Sequence, residues 1–75
     1  MIHIWNIYET GDPYCPGPDP YDIFIYAVRH DEEPHLNDTL HVEGRLCHIF
    51  ALMPDVMKNE MLAGPEERYW KVCVR

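Results

Sequence analysis

The stretch "DPYCPGPDPYD", residues 12–22, constrains the fold more than any other part of this chain. Four of its eleven residues are proline, which cannot donate to the hydrogen-bond ladder of a helix or a sheet. Neither a helix nor a central strand can pass through it, so it must separate two elements. Because proline also restricts the unfolded chain, this loop loses little entropy on ordering. That property suits a recognition loop and a stiff connector equally well.

Strands are predicted on both sides of this stretch and at the end of the chain. Residues alternate with a period of two and are rich in β-branched and aromatic types in the segments "IHIWNIYE" (2–9), "YDIFIYAVRH" (21–30) and "RYWKVCVR" (68–75). The second segment is the most regular, and we expect it to be central and covered on both faces. In the last segment, Trp70, Val72 and Val74 form the expected core face.

The segment 39–52 allows two interpretations. Its apolar residues keep one alternating phase through Gly44, which favours a single long strand bent at the glycine. The alternative is a hairpin that turns at Glu43-Gly44 and places Val42 opposite Arg45. Since Glu-Gly is weaker turn chemistry than Asn-Gly, the bent strand is the preferred prediction.

A helix is predicted within "MPDVMKNEMLAGP", residues 53–65. Pro54 suits the first turn of a helix, and Gly64 suits the residue just past its end. Met57 and Met61 are four residues apart and share one face. We expect this methionine stripe to be the buried face of the helix.

The predicted element order is β-β-β-α-β in one compact domain, residues 1–75. This order indicates a small α+β fold in which a mostly antiparallel four-stranded sheet carries one helix packed on one face. No apolar run approaches the roughly 20 residues that a membrane span needs, and the N-terminus lacks the basic start of a secretory segment. Three widely spaced cysteines imply no disulfide framework. We therefore expect a cytoplasmic protein that does not enter the membrane.

The charge is concentrated in the first half of the chain. Residues 1–44 contain nine acids and one base, whereas residues 45–75 contain four acids and five bases, and the total is −7. Free nucleic acid is a poor partner for such a surface, because phosphate binding depends on lysine and arginine. A protein with a basic surface is a better one, since complementary potentials steer association. Acidity also keeps a small protein soluble.

Nucleophilic catalysis finds little support in the sequence. The chain has no serine, and Cys47 and His48 are neighbours on a predicted strand, where adjacent side chains point to opposite faces. Cys47 and Cys73 are expected to behave as small buried hydrophobes. We therefore predict no catalytic residue, no cofactor and no enzyme activity.

The run "HDEEPH", residues 30–35, concentrates potential metal ligands. It lacks the close ligand pairs typical of zinc sites in small domains. His30 and His35 would converge only if the turn around Pro34 were tight. Metal binding by these two histidines is an alternative function, and the main prediction includes no metal site.

The preferred hypothesis is a small acidic binding protein that inhibits or regulates a larger complex. It would dock on a basic surface that normally holds nucleic acid, as phage-encoded anti-defence proteins do, an analogy of size and charge alone. The residues proposed for partner binding lie in the proline-rich loop and the acidic turn: Tyr14, Asp19, Tyr21, Asp31, Glu32 and Glu33. These two regions flank the second strand about 30 Å apart, so either the footprint is long or one region takes part. The alternative is an assembly subunit acting through homo-oligomerisation, and both a monomer and a homodimer remain open.

Overall fold

The computed structural model describes residues 1–9 and 23–75. Its elements in chain order are β1 (Ile2–Glu9), β2 (Ile23–His30), β3 (Thr39–Val42), β4 (Arg45–Pro54), α1 (Val56–Met61) and β5 (Glu67–Val74). The proline-rich stretch 12–22 lies outside the described residues, so its predicted role stays a prediction.

The described strands form one five-stranded sheet in the order β2-β1-β5-β4-β3. β1 and β5 run parallel, while the other three neighbouring pairs are antiparallel. The sheet is curled into a half-barrel. The prediction of a four-stranded, mostly antiparallel sheet is therefore wrong, because the sheet has a fifth strand and is mixed.

The two strands at the ends of the described chain lie in the interior of the sheet, and each has buried residues on both faces. Their buried residues are Ile4, Asn6 and Ile7 in β1, and Trp70, Val72, Cys73 and Val74 in β5. A strand buried on both faces belongs in the interior of a sheet. β2 has the same alternating pattern, yet it is an edge strand, and the residues Ile23 and Phe24 are 62% and 51% exposed. The predicted central position of β2 is wrong.

Residues 39–52 form part of a hairpin rather than one bent strand. Val42 pairs with Arg45, and the two residues between them have positive φ angles, 52° at Glu43 and 79° at Gly44. Positive φ at both central residues is the mark of the tight hairpin turn whose twist matches that of the strands. The bent-strand prediction is therefore wrong, and the alternative pairing is the one observed.

The hairpin turn and a bulge in β4 explain why the apolar phase is misleading, because across the turn the buried residues change from Val42 to Cys47 and Ile49. The register of β4 against β5 shifts between Ile49 and Ala51. Before the shift, Cys47 and Ile49 are buried and Leu46 is exposed. A β-bulge changes which residues face the core, so a constant alternating phase through this segment does not describe one face.

α1 lies within the predicted segment, but it is shorter and packs differently: Pro54 is not in its first turn, and Gly64 does not directly follow its end. Pro54 ends β4, and the helix starts after Asp55, whose carboxylate accepts from the Lys58 N–H at 3.1 Å. None of its residues is buried, and Met57 and Met61 are 71% and 74% exposed. The methionine stripe is therefore not a buried face, and the prediction of a helix packed on one face of the sheet is wrong.

The helix is instead attached to the edge of β5 beyond the end of β4. The ladder between β4 and β5 ends at the pair Pro54 and Trp70. At the next residue, Tyr69, the Asn59 amide accepts from the backbone N–H at 2.6 Å and donates to the carbonyl at 3.0 Å. Asn59 thus satisfies the backbone groups that a neighbouring strand would satisfy. In the described part of the chain, no helix has the length and apolar character to cross a membrane.

The core fills the concave side of the half-barrel. Its buried members come from four strands: Ile7, Val42, Cys47, Ile49, Trp70, Val72 and Val74. The predicted core face of the last strand is confirmed, as is the burial of Cys47 and Cys73. The indole N–H of Trp70 donates to Nδ1 of His3 at 3.0 Å, so the largest core side chain also has its polar atom satisfied.

Candidate functional site

Residues 31–38 connect β2 to β3, from one edge strand of the half-barrel to the other, and we call them the acidic strap. The Trp5 indole N–H donates to the Glu32 carbonyl at 3.1 Å, and Pro34 is buried. The Trp5 ring also packs against the core. These contacts attach the middle of the strap to the sheet.

A second attachment holds the end of the strap against β4. The Asn37 N–H donates to the Ile49 carbonyl at 2.8 Å, and the Ile49 N–H donates to the Asp38 carbonyl at 2.8 Å. Asn37 has a φ of 70°, a left-handed conformation that asparagine tolerates better than most residues. Because Ile49 belongs to the core, this pair of hydrogen bonds ties the strap to the most buried part of β4.

The acidic side chains of the strap point to solvent. Its four acids are all exposed: Asp31, Glu32, Glu33 and Asp38. Among the residues that the structure describes, the ion pairs are Arg29 with Glu67 at 3.4 Å and Arg45 with Glu9 at 2.7 Å, so none of the four strap carboxylates has a basic partner there. The strap backbone is held against the sheet, and its four carboxylates have no ion-pair partner among residues 1–9 and 23–75.

The six residues predicted to bind a partner fall into two groups. Asp31, Glu32 and Glu33 are brought together at the start of the strap, directly after β2. Tyr14, Asp19 and Tyr21 lie outside the described residues. The three acids are therefore exposed side by side along the chain. A contribution of the proline-rich loop to partner binding stays a prediction.

Of the two histidines considered for metal binding, His30 contacts an aromatic ring. The His30 ring lies against the Trp5 ring with centroids 4.1 Å apart, and His35 is exposed. Across residues 1–9 and 23–75, no three His, Cys, Asp or Glu side chains are grouped so that they could hold a metal ion. Cys47 is buried and its neighbour His48 is exposed, so these two side chains point to opposite sides of β4, as expected.

Two surface cavities lie away from the strap, beside α1. One, of about 320 Å³, is lined by residues of α1, the turn after it and the start of β5. Its Glu67 carboxylate is already engaged, since it accepts from the Gly64 N–H at 2.9 Å and pairs with Arg29. The other, of about 240 Å³, is lined by Met57, Lys58, Met61 and Leu62. Neither cavity includes a strap residue.

Glu9 on β1 differs from the strap acids because its charge is paired with that of Arg45. Arg45 donates to the Glu9 carboxylate at 2.7 Å, and this hydrogen bond raises the pKa of the Arg45 guanidinium above its ordinary value. A raised pKa on an arginine leaves it charged throughout the physiological range. Glu9 therefore adds little negative potential to this side of the molecule.

The hydrogen bonds that attach the strap to the sheet cannot be predicted from the sequence. Trp5 is 27 residues from Glu32 along the chain. The Asn37–Ile49 pair forms next to the β3–β4 hairpin, whereas the alternation of apolar residues favours a bent strand there. The cluster of acids was visible in the sequence, whereas its attachment was not.

A search of protein-family models, of curated proteins and of solved structures finds no match to this chain. Its function therefore has to be inferred from its own residues.

Proposed function

We propose that this protein is a small non-enzymatic binding protein that docks the acidic strap on a basic surface of a larger protein complex. The observation that carries the proposal is the set of four exposed, unpaired carboxylates on residues 31–38. The basic surface is one that normally holds nucleic acid, so docking would inhibit or regulate that complex.

The charge of the strap supports a basic partner. Carboxylates without local counter-ions leave their potential available to a second molecule, and complementary potentials raise the rate of encounter. A surface that holds phosphates by lysine and arginine offers the opposite charge. Carboxylates at such a surface would exclude the nucleic acid from it.

The attachment of the strap supports specific binding. Ordering a backbone residue costs roughly 1–2 kcal/mol, and a loop that is already held does not lose this entropy again when it binds. The strap is held at Glu32 by Trp5 and at Asn37 and Asp38 by Ile49. A partner would therefore meet the carboxylates close to their bound positions.

Two variants with the same net charge test the proposal. The first neutralises the start of the strap with Asp31→Asn, Glu32→Gln and Glu33→Gln. The control neutralises three exposed acids elsewhere, with Glu43→Gln, Glu60→Gln and Glu66→Gln. Each immobilised protein is exposed to lysate of the native host, and captured proteins are quantified by mass spectrometry at low and high salt, with and without competing DNA.

We expect the wild type and the control to capture the same basic protein, and DNA and high salt to release it. The strap variant should capture it about threefold to a hundredfold less well, because three exposed charge pairs are each worth roughly 0.2–1 kcal/mol. Equal capture by the two variants, or capture indifferent to salt, would contradict the proposal.

A further inference from the structure

β2 is an edge strand whose outer side is unpaired within the described chain. It lies at the end of the strand order, next to β1 alone. The Tyr26 hydroxyl reaches across to the His41 carbonyl of β3 at 3.3 Å, but β2 and β3 share no ladder. About half of the backbone N–H and C=O groups of an antiparallel edge strand point away from its partner. Another strand can form hydrogen bonds with these outward-pointing backbone groups.

Most of β2 has the regular geometry that strand addition needs. It pairs with β1 without interruption from Tyr26 to His30, and its register shift lies near its other end. Edge strands that avoid pairing usually contain proline, charged residues such as lysine, or a bulge. The sequence of β2, "IFIYAVRH", has no proline or lysine, its one arginine is paired with Glu67, and its register shift is confined to the end near Ile23.

The two ends of β2 differ in chemistry. Ile23 and Phe24, at its start, are large apolar residues more than half exposed. At its other end, the chain continues directly into the unpaired carboxylates of Asp31, Glu32 and Glu33. A segment lying along β2 would meet apolar side chains at one end and negative charge at the other.

From these features we infer that β2 accepts an extended segment of the partner protein as an added antiparallel strand. Antiparallel pairs outnumber parallel ones, and in that orientation the N-terminal part of the segment lies beside the strap. The segment therefore has basic residues at its N-terminal end and apolar residues at its C-terminal end. The inference rests on the proposed function, since it uses the same carboxylates, and it adds the conformation and the direction of what binds.

A second copy of this chain fits the same edge less well. Antiparallel pairing of two β2 strands would place the acids of each copy beside Ile23 and Phe24 of the other. No opposite charge would then face the carboxylates, and each copy has a net charge of −7. Charge complementarity thus favours a basic segment over a homodimer.

The test uses the full chain and four labelled synthetic peptides, with affinity measured by fluorescence anisotropy. The first peptide has three lysines followed by alternating valine and threonine and a terminal phenylalanine, and it is long enough to pass along β2 and the three acids. The second has the same residues in reverse order. The last two have the first sequence with backbone N-methyl groups on one or the other set of alternate residues, which removes the N–H donors of one edge.

We expect the forward peptide to bind at least about fivefold more tightly than the reversed one. One N-methylated peptide should lose about tenfold or more, since several backbone hydrogen bonds would be lost, and the other should keep its affinity within about twofold. Because these changes are made in the peptide, the protein remains folded in every arm.

Three outcomes would overturn the inference. Equal affinity of both N-methylated peptides and the unmodified one would mean that no strand is added. Equal affinity of forward and reversed peptides would exclude the stated direction. A concentration-dependent dimer in sedimentation equilibrium that the forward peptide dissociates would identify a second copy as the occupant.

These outcomes are distinct from failure of the proposed function. If all four peptides bind alike and the variant with Asp31→Asn, Glu32→Gln and Glu33→Gln weakens them all, docking by the strap stands and strand addition falls. If that variant binds every peptide as the wild type does, acidic docking itself falls.

Discussion

The acidic strap and α1 both connect strands of the half-barrel, and they are attached to it in opposite ways. The strap has no regular secondary structure, yet Pro34 is buried and its backbone bonds to Trp5 and Ile49. α1 is a regular helix, yet no residue in it is buried, and its main attachment to β5 is the amide of Asn59. The strap exposes charges, whereas the helix exposes methionines.

From this difference we expect attachment to the core, and not regular structure, to decide which segment is the more rigid. A six-residue helix is too short to be stable in water by itself. A segment without helix or strand can still be fixed when its backbone groups bond to buried strands. This is why we assign recognition to the strap.

The largest effect is expected from removing the Trp5 side chain. Trp5→Ala should lower the free energy of unfolding by about 3 kcal/mol, since it removes core packing and the hydrogen bond to Glu32. Trp5→Phe retains most of the ring, so it should cost only about 1 kcal/mol. Urea denaturation measures both, and a Trp5→Ala protein as stable as the wild type would show that the strap is not attached there.

An intermediate effect is expected from the helix attachment. Asn59→Ala leaves the Tyr69 N–H without its partner, while the Tyr69 carbonyl still accepts from the Asp55 N–H at 3.0 Å, and it should destabilise the protein by about 1–2 kcal/mol. The neighbouring exposed residue supplies the control, because Glu60→Ala should change stability by less than about 0.5 kcal/mol. Similar values for the two variants would mean that α1 is held by other contacts.

The smallest effect is expected from the methionines. Met57→Gln and Met61→Gln together should change the free energy of unfolding by no more than about 0.5 kcal/mol, because both side chains are exposed. Thermal and urea unfolding would measure this. A loss of about 2 kcal/mol or more would mean that the stripe is buried in solution and would remove the contrast with the strap.

Local features of the fold were predictable from the sequence because they depend on neighbouring residues. Alternation predicted β1, β2 and β5 and the core face of Trp70, Val72 and Val74. Alternation does not report the position of a strand in a sheet, so it cannot distinguish the edge strand β2 from a central one. The methionine spacing identified one helix face but not its surroundings.

For the candidate site too, the local composition is predictable from the sequence and the long-range contacts are not. The charge of residues 31–33 is a property of composition, so it was visible before the structure. The contacts of Trp5 with Glu32 and of Asn37 with Ile49 join distant parts of the chain. Long-range pairing of this kind follows from the packing of the sheet and leaves no short-range pattern.

Amide hydrogen exchange tests the central claim, that the strap is fixed to the sheet, most directly. The Asn37 N–H bonds to β4 at 2.8 Å, while the Leu62 N–H at the end of α1 bonds to Lys58 at 2.9 Å in a helix without buried residues. We predict that the Asn37 amide exchanges nearly as slowly as the amides of β4 and more slowly than that of Leu62. Exchange of Asn37 at the rate of an unstructured peptide, or faster than Leu62, would contradict this account.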